Sequence, residues 1–172
     1  FKVVVHPTPE ALIDFENPCL NELLTIDFEP DINSGEIKEY RWNMGDGTLY
    51  SDSVPNHRYQ YIGRYGIGLK IFSDKGCKYE FQDTLDVYPN PEAGISKFTG
   101  RATILKNRVG FRDSSYGAYT HEWDFGDNSD LIFDEREVFH EYLDTGWYNV
   151  SLVVGSYDYC YDTAYYPLYI WP

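Results

Sequence analysis

Two stretches decide the fold: Tyr40-Arg41-Trp42-Asn43-Met44-Gly45-Asp46-Gly47-Thr48 and His121-Glu122-Trp123-Asp124-Phe125-Gly126-Asp127-Asn128-Ser129. They share W-[ND]-[MF]-G-D and lie 81 positions apart. Working outward, His57-Arg58-Tyr59 is answered by His140-Glu141-Tyr142. Gly63-Arg64-Tyr65-Gly66-Ile67-Gly68-Leu69 is answered by Gly146-Trp147-Tyr148-Asn149-Val150-Ser151-Leu152, and both of these offsets are 83. Three blocks in one order at a nearly constant offset mean one fold written twice.

The joints repeat as well. Val87-Tyr88-Pro89-Asn90-Pro91-Glu92-Ala93 echoes Val5-His6-Pro7-Thr8-Pro9-Glu10-Ala11, and Ile170-Trp171-Pro172 returns to the same phase. Residues 1–8 therefore read as a linker or the end strand of a preceding repeat, 9–90 as a first domain and 91–172 as a second, cut from a longer array. Proline at these joints favours extended, semi-rigid backbone between domains.

Period-2 alternation marks the strands. Leu24, Ile26 and Phe28 share one face; so do Tyr40, Trp42 and Met44, and Tyr65, Ile67, Leu69 and Ile71. The second copy repeats the pattern with Val109 and Phe111, with Tyr148, Val150, Leu152 and Val154, and with Leu168 and Ile170 answering Leu85 and Val87. One apolar face per short strand, with Gly, Asn, Asp and Pro turns between, predicts an all-β chain of two immunoglobulin-like sandwiches. Composition agrees: 17 Tyr, 10 Phe and 4 Trp against a single Met in 172 residues, a balance suited to pleated, half-buried surfaces.

A formal net charge of −14 excludes a nucleic-acid binder, which needs a basic patch, and direct docking on an anionic membrane. No apolar run reaches the roughly 18 residues of a membrane span, and no basic, apolar leader opens the segment, so any export signal is expected outside it. Cys19, Cys77 and Cys160 lack the clustering of a zinc site.

The motif residues read as scaffold. Trp42 and Trp123 are expected to anchor the cores, Gly45 and Gly126 to make the turn, and Asp46 and Asp127 to bond turn amides. His57, Tyr59 and Gly63 with Tyr65, and His140, Tyr142 and Gly146 with Tyr148, close one strand and open the next. Tyr65 and Tyr148 sit where a tyrosine corner would pin loop backbone. The histidines have no Ser or Cys nucleophile in a recognisable motif, so they read as packed and hydrogen-bonded, and no residue is assigned a catalytic role. Asp124, Asp127 and Asp130 form the one candidate calcium set, without the EF-hand ligand spacing and without matching carboxylates at two positions of the first copy. No other cofactor is expected.

W-D-F-G-D, then H-x-Y, then G-x-Y-x-V-x-L resembles the PKD domain, over most of both copies. The second copy fits the block at every position from Trp123 to Asp127; the first departs at Asn43 and Met44 and keeps G-D-G at Gly47, where the second has Asn128. The linker style resembles PKD arrays of Bacteroidota surface proteins exported by type 9 secretion, gliding-motility adhesins among them. That resemblance implies cell-surface localisation in a Gram-negative bacterium and a neighbouring sorting domain that engages the secretion machinery. It also implies O-glycosylation at the D-[ST]-hydrophobic sites Ser53, Thr84 and Thr163.

Cys19 precedes the Leu24 strand and Cys77 follows the Ile71 strand, which predicts a Cys19–Cys77 disulfide and leaves Cys160 unpaired. Tyr165, Tyr169 and Trp171 alternate against core-phase Leu168 and Ile170 and form a candidate surface for a polysaccharide, another surface protein or a neighbouring domain of the same chain. Two functions stand side by side: a non-catalytic spacer or adhesion segment of a secreted surface protein, and a carbohydrate- or protein-binding accessory module of a secreted hydrolase such as a chitinase or protease.

Overall fold

The computed structural model describes residues 6–33 and 35–172; the strand expected at the very start of the chain falls largely on residues 1–5, outside them. The chain divides into two units, Phe1–Pro89 and Asn90–Pro172. All its regular structure among the described residues is antiparallel β, and none of those residues form a helix long and apolar enough to cross a membrane.

In the first unit, β1 (Glu10–Phe15) pairs with β2 (Ile26–Asp31) as one sheet. The other sheet is built from β3 (Ile37–Asn43), β4 (Leu49–Tyr50), β5 (Gly63–Ser73) and β6 (Lys78–Val87) in the order β4-β3-β5-β6. Leu24, Ile26, Trp42, Met44, Ile67, Leu69, Ile71, Leu85 and Val87, the rows predicted by alternation, are buried between the two sheets. Phe28 meets Trp42 edge-on at 5.6 Å across the gap.

The second unit repeats this with one more full strand. β7 (Ile95–Lys97), β8 (Arg108–Asp113) and β11 (Glu137–Glu141) form a sheet in the order β11-β8-β7. β9 (Thr120–Asp124), β10 (Ile132–Phe133), β12 (Gly146–Gly155) and β13 (Tyr161–Ile170) form the other, in the order β10-β9-β12-β13. Trp123 faces Leu152 in register as Trp42 faces Leu69. The stretch from His57 to Tyr59 is not a strand; it meets the residues leading into β2 through Leu24 N–H donating to His57 O (2.9 Å) and Asn21 N–H to Tyr59 O (3.1 Å). Two more residues separate the aspartate from the histidine in the second copy (127 to 140 against 46 to 57), and there the segment pairs fully with β8.

The expected Cys19–Cys77 disulfide does not form: Cys77 is a free thiol. Cys19 bridges Tyr88, just past one end of β6, whereas Cys77 sits just before its other end. A strand of 10 residues spans about 33 Å, far beyond the roughly 7 Å between Cα atoms that a disulfide tolerates. Nor is Cys160 unpaired as expected: it is buried, and neither it nor Cys19 is a free thiol. Three cysteines leave the pairing open in sequence.

Candidate binding face

The repeated motif builds the same structural device in each unit. Trp42 Nε1 donates to Ser53 O at 3.2 Å, and Trp123 Nε1 to Glu135 O at 2.8 Å, so each buried indole spends its one polar atom on a loop carbonyl. Asn43 and Asp124 accept from the amides of Gly45 and Gly126; Asp46 and Asp127 accept from those of Thr48 and Ser129. Two successive side-chain-to-amide turns thus close the block. Tyr59 and Tyr142, fully buried, donate to Met44 O (2.8 Å) and Phe125 O (3.2 Å). Tyr65 and Tyr148 donate to Tyr61 O and Asp144 O, four residues upstream, in the manner of a tyrosine corner. Gly63 and Gly146 open β5 and β12 at positive φ.

The histidine of each H-x-Y block serves this turn. His57 Nε2 lies 3.0 Å from Asp46 Oδ2, off hydrogen-bond alignment, while its Nδ1 meets the Tyr50 hydroxyl at 3.2 Å. His140 Nε2 lies 2.7 Å from Asp127 Oδ2, its ring stacked 4.1 Å from that of Phe125. Burial pushes the Asp46 and Asp127 carboxyls up. The amides and hydroxyls of Thr48 and Ser129, with the neighbouring histidines, outweigh it and hold both below the ordinary carboxylate range. The Tyr59 and Tyr142 hydroxyls go the other way, held far above their ordinary value by burial and then by the aspartate charges. His121 packs likewise, 3.1 Å from the buried Asp113, a partner that carried no sequence signal. The Asp46–His57 and Asp127–His140 pairs, with the Thr48 and Ser129 hydroxyls on the same aspartates, point into the turn and hold it.

The calcium candidate's carboxylates are not brought together. Asp124 and Asp127 already hold turn amides, Asp130 lies in the exposed loop beyond, and among the described residues no three His, Cys, Asp or Glu side chains stand close enough to hold a metal ion. Of the three candidate glycosylation sites, Ser53 and Thr84 are exposed and Thr163 is half-buried.

What distinguishes the copies is the outward face of the four-stranded sheets. In the first unit, β5 and β6 carry Arg64 opposite Asp86 and Lys70 opposite Glu80, ion-paired at 2.8 and 3.1 Å. At the matching places β12 and β13 carry Trp147 opposite Tyr169 and Val153 opposite Thr163. Every outward residue of this strand pair is uncharged: Trp147, Asn149, Ser151, Val153 and Gly155 against Tyr169, Pro167, Tyr165, Thr163 and Tyr161. Trp147 is 74 % exposed, Tyr165 65 % and Trp171 45 %. Trp147, Tyr169 and Trp171 form a chain of rings with centroids 5.0 and 4.8 Å apart, and the Arg101 guanidinium lies 4.0 Å over Trp171. Tyr161, Tyr165 and Tyr169 follow at four-residue intervals, about 13 Å each along the strand. Alternation in the sequence singles out Tyr165, Tyr169 and Trp171; the structure adds Trp147 and Arg101 beside them. Trp147 was absorbed into the G-x-Y block, although its place opposite in phase to Tyr148 marks it as outward.

The profile of the PKD domain family matches residues 5–88 and 86–164, once per unit. The chain belongs to the PKD domain family. Its two PKD domains are non-catalytic folds, and the chain spans 7% of the length of each of two collagenases that it matches. Over 63 residues the chain is 30% identical to "Collagenase ColA" of Bacillus cereus, covering 37% of this chain and 7% of that protein. Over 76 residues it is 30% identical to "Collagenase ColA" of Clostridium perfringens, covering 43% and 7%. Among solved structures, the fibronectin(III)-like modules of Clostridium thermocellum CbhA align with a TM-score of 0.52 at 13% identity, covering 94% of each chain, which is a likeness of fold. The PKD1 domain of Vibrio anguillarum Epp aligns with a TM-score of 0.45 at 24% identity, covering 49% of this chain and 99% of that one.

Proposed function

We propose that this PKD pair is a non-catalytic, extracellular binding segment of a secreted bacterial protein, and that the outward face of β12 and β13 holds an extended, neutral polysaccharide. The observation that carries this reading is the difference between the copies: where the first PKD domain laces its sheet with ion pairs, the second sets out Trp147, Tyr165, Tyr169 and Trp171. Folding does not ask for exposed aromatics there, since the first domain folds on charged pairs. Aromatic faces stack on the C–H faces of sugar rings, and a chain with a net charge of −14 disfavours anionic polymers.

The parent is read as a type 9-exported surface adhesin of the gliding-motility kind, supported by the V-x-P-x-P-E-A linkers. The second reading, an accessory module of a secreted hydrolase, draws on the match to two collagenases. Flanking sequence separates the two: further repeats and a sorting domain favour the first, a catalytic domain the second. The binding face is tested by retention on insoluble neutral polysaccharides. Trp147→Ala with Tyr169→Ala is expected to lose at least tenfold in affinity with its melting temperature within a few degrees of wild type. Equal retention of both proteins overturns the assignment.

A further inference from the structure

The first PKD domain carries a different opening on its own sheet. On the outward face of β5, Gly66 and Gly68 stand opposite Thr84 and Gln82 of β6. With Asn43 they line an open depression of about 430 Å³, within the roughly 300–1,000 Å³ range of ligand sites.

Nothing in the fold requires these glycines. Neither sits in the left-handed region, a Cβ on Gly66 would meet nothing within 4 Å, and one on Gly68 would make only ordinary contacts with Phe81 O (3.6 Å) and Gln82 Cγ (3.9 Å). The second domain holds Asn149 and Ser151 at the same places, beneath a Gly126 turn packed as closely as the Gly45 turn is on Gly66. Glycine weakens a strand interior and marks places where another group approaches the backbone closely. Two of them in the central strand of a sheet, with space left above, keep a floor clear.

We infer that this floor is a separate carbohydrate subsite taking one pyranose ring of a neutral glycan. The lining sets the ligand class. Side-chain amides of Asn43 and Gln82, the Thr84 hydroxyl and Asp83, whose carboxylate accepts from the Thr84 amide at 2.7 Å, line a floor of bare peptide; the one charge in the lining is negative and disfavours an anionic ligand, and Arg64 with Asp86 and Lys70 with Glu80 on the same two strands are paired with one another. Asn43 Oδ1 accepts from the Gly45 amide at 2.9 Å, so what this side chain can offer a ligand is the donor, its amino group. Amides and hydroxyls both donate and accept, as ring hydroxyls require, and a surface without Cβ atoms lets a flat ring lie against the peptide planes.

The test uses the full chain carrying Trp147→Ala and Tyr169→Ala, so that failure here is distinguishable from failure of the proposed binding face. Cellohexaose, chitohexaose and mannohexaose are titrated while backbone and side-chain amide resonances are followed. At least one hexasaccharide is expected to shift the Gly66 and Gly68 amides with the side-chain amides of Asn43 and Gln82. Gly66→Thr with Gly68→Thr should abolish the response while the melting temperature holds or rises, and Gln82→Ala, which leaves the strand untouched, should weaken it severalfold. No shift at these residues with any of the three sugars, or undiminished binding in the filled variant or in Gln82→Ala, overturns the subsite.

Discussion

The scaffold reading of the G-D turn is tested most directly by Gly45→Ala. Gly45 lies at φ +81°, and a Cβ there would stand 2.6 Å from Gly66 O and 2.8 Å from Gly66 N, backbone that cannot swing aside. The left-handed conformation costs a side-chain-bearing residue roughly 1–2 kcal/mol, and forcing an atom into packed surroundings costs roughly 1–3 kcal/mol more. The expected loss is about 3 kcal/mol, and at roughly 4–8 °C per kcal/mol for a domain this size the first PKD domain should melt about 12–24 °C lower. Gly47→Ala separates the two causes. Gly47 has φ +97° but nothing within 4 Å of its Cβ position, so only the roughly 1–2 kcal/mol conformational cost remains. Calorimetry of the full chain reads both, with the second domain as internal reference, and Gly126→Ala should transfer the larger loss to that domain, where the Cβ would meet Asn149 O at 2.7 Å. Equal losses for Gly45→Ala and Gly47→Ala, or a Gly45→Ala melt within about 4 °C of wild type, would refute the packing argument.

Three further outcomes are expected. Tyr159 holds φ +61° in the β12–β13 turn, where the first copy has Gly76 at +79°; Tyr159→Gly should raise the second domain's stability by about 1 kcal/mol, read as a higher urea midpoint, and a lower midpoint contradicts this. The Asp46 and Asp127 carboxyls are held below their ordinary range in the folded state. Their stabilisation is therefore complete above the unfolded aspartate value near 3.9 and is lost as pH falls through the folded values. Melting temperatures should drop below about pH 4 and drop less steeply in Asp46→Asn with Asp127→Asn; parallel acid limbs would refute it. Iodoacetamide on the native, unreduced protein should label Cys77 and spare Cys19 and Cys160; label on Cys160 would show otherwise.

The duplication, the strands and the buried rows were open to reading because each rests on local chemistry. Alternation assigns a face to every second residue, and the W-x-x-G-D block makes its own turn from Asn43 and Asp46, or from Asp124 and Asp127, with amides two residues away. The roles of His57 and His140 followed from their recurrence in both copies. Cysteine pairing did not follow, because a strand carries Cys77 far from Cys19 and sequence does not measure that separation. The candidate calcium set is not brought together among the described residues, and spacing along a loop does not say which carboxylates meet in space. Trp147, Arg101 and the floor at Gly66 and Gly68 were decided by strand register alone. Register sets Trp147 against Tyr169 and brings Gln82 and Thr84 beside two glycines, and cross-strand neighbours are far apart in sequence until the sheet forms.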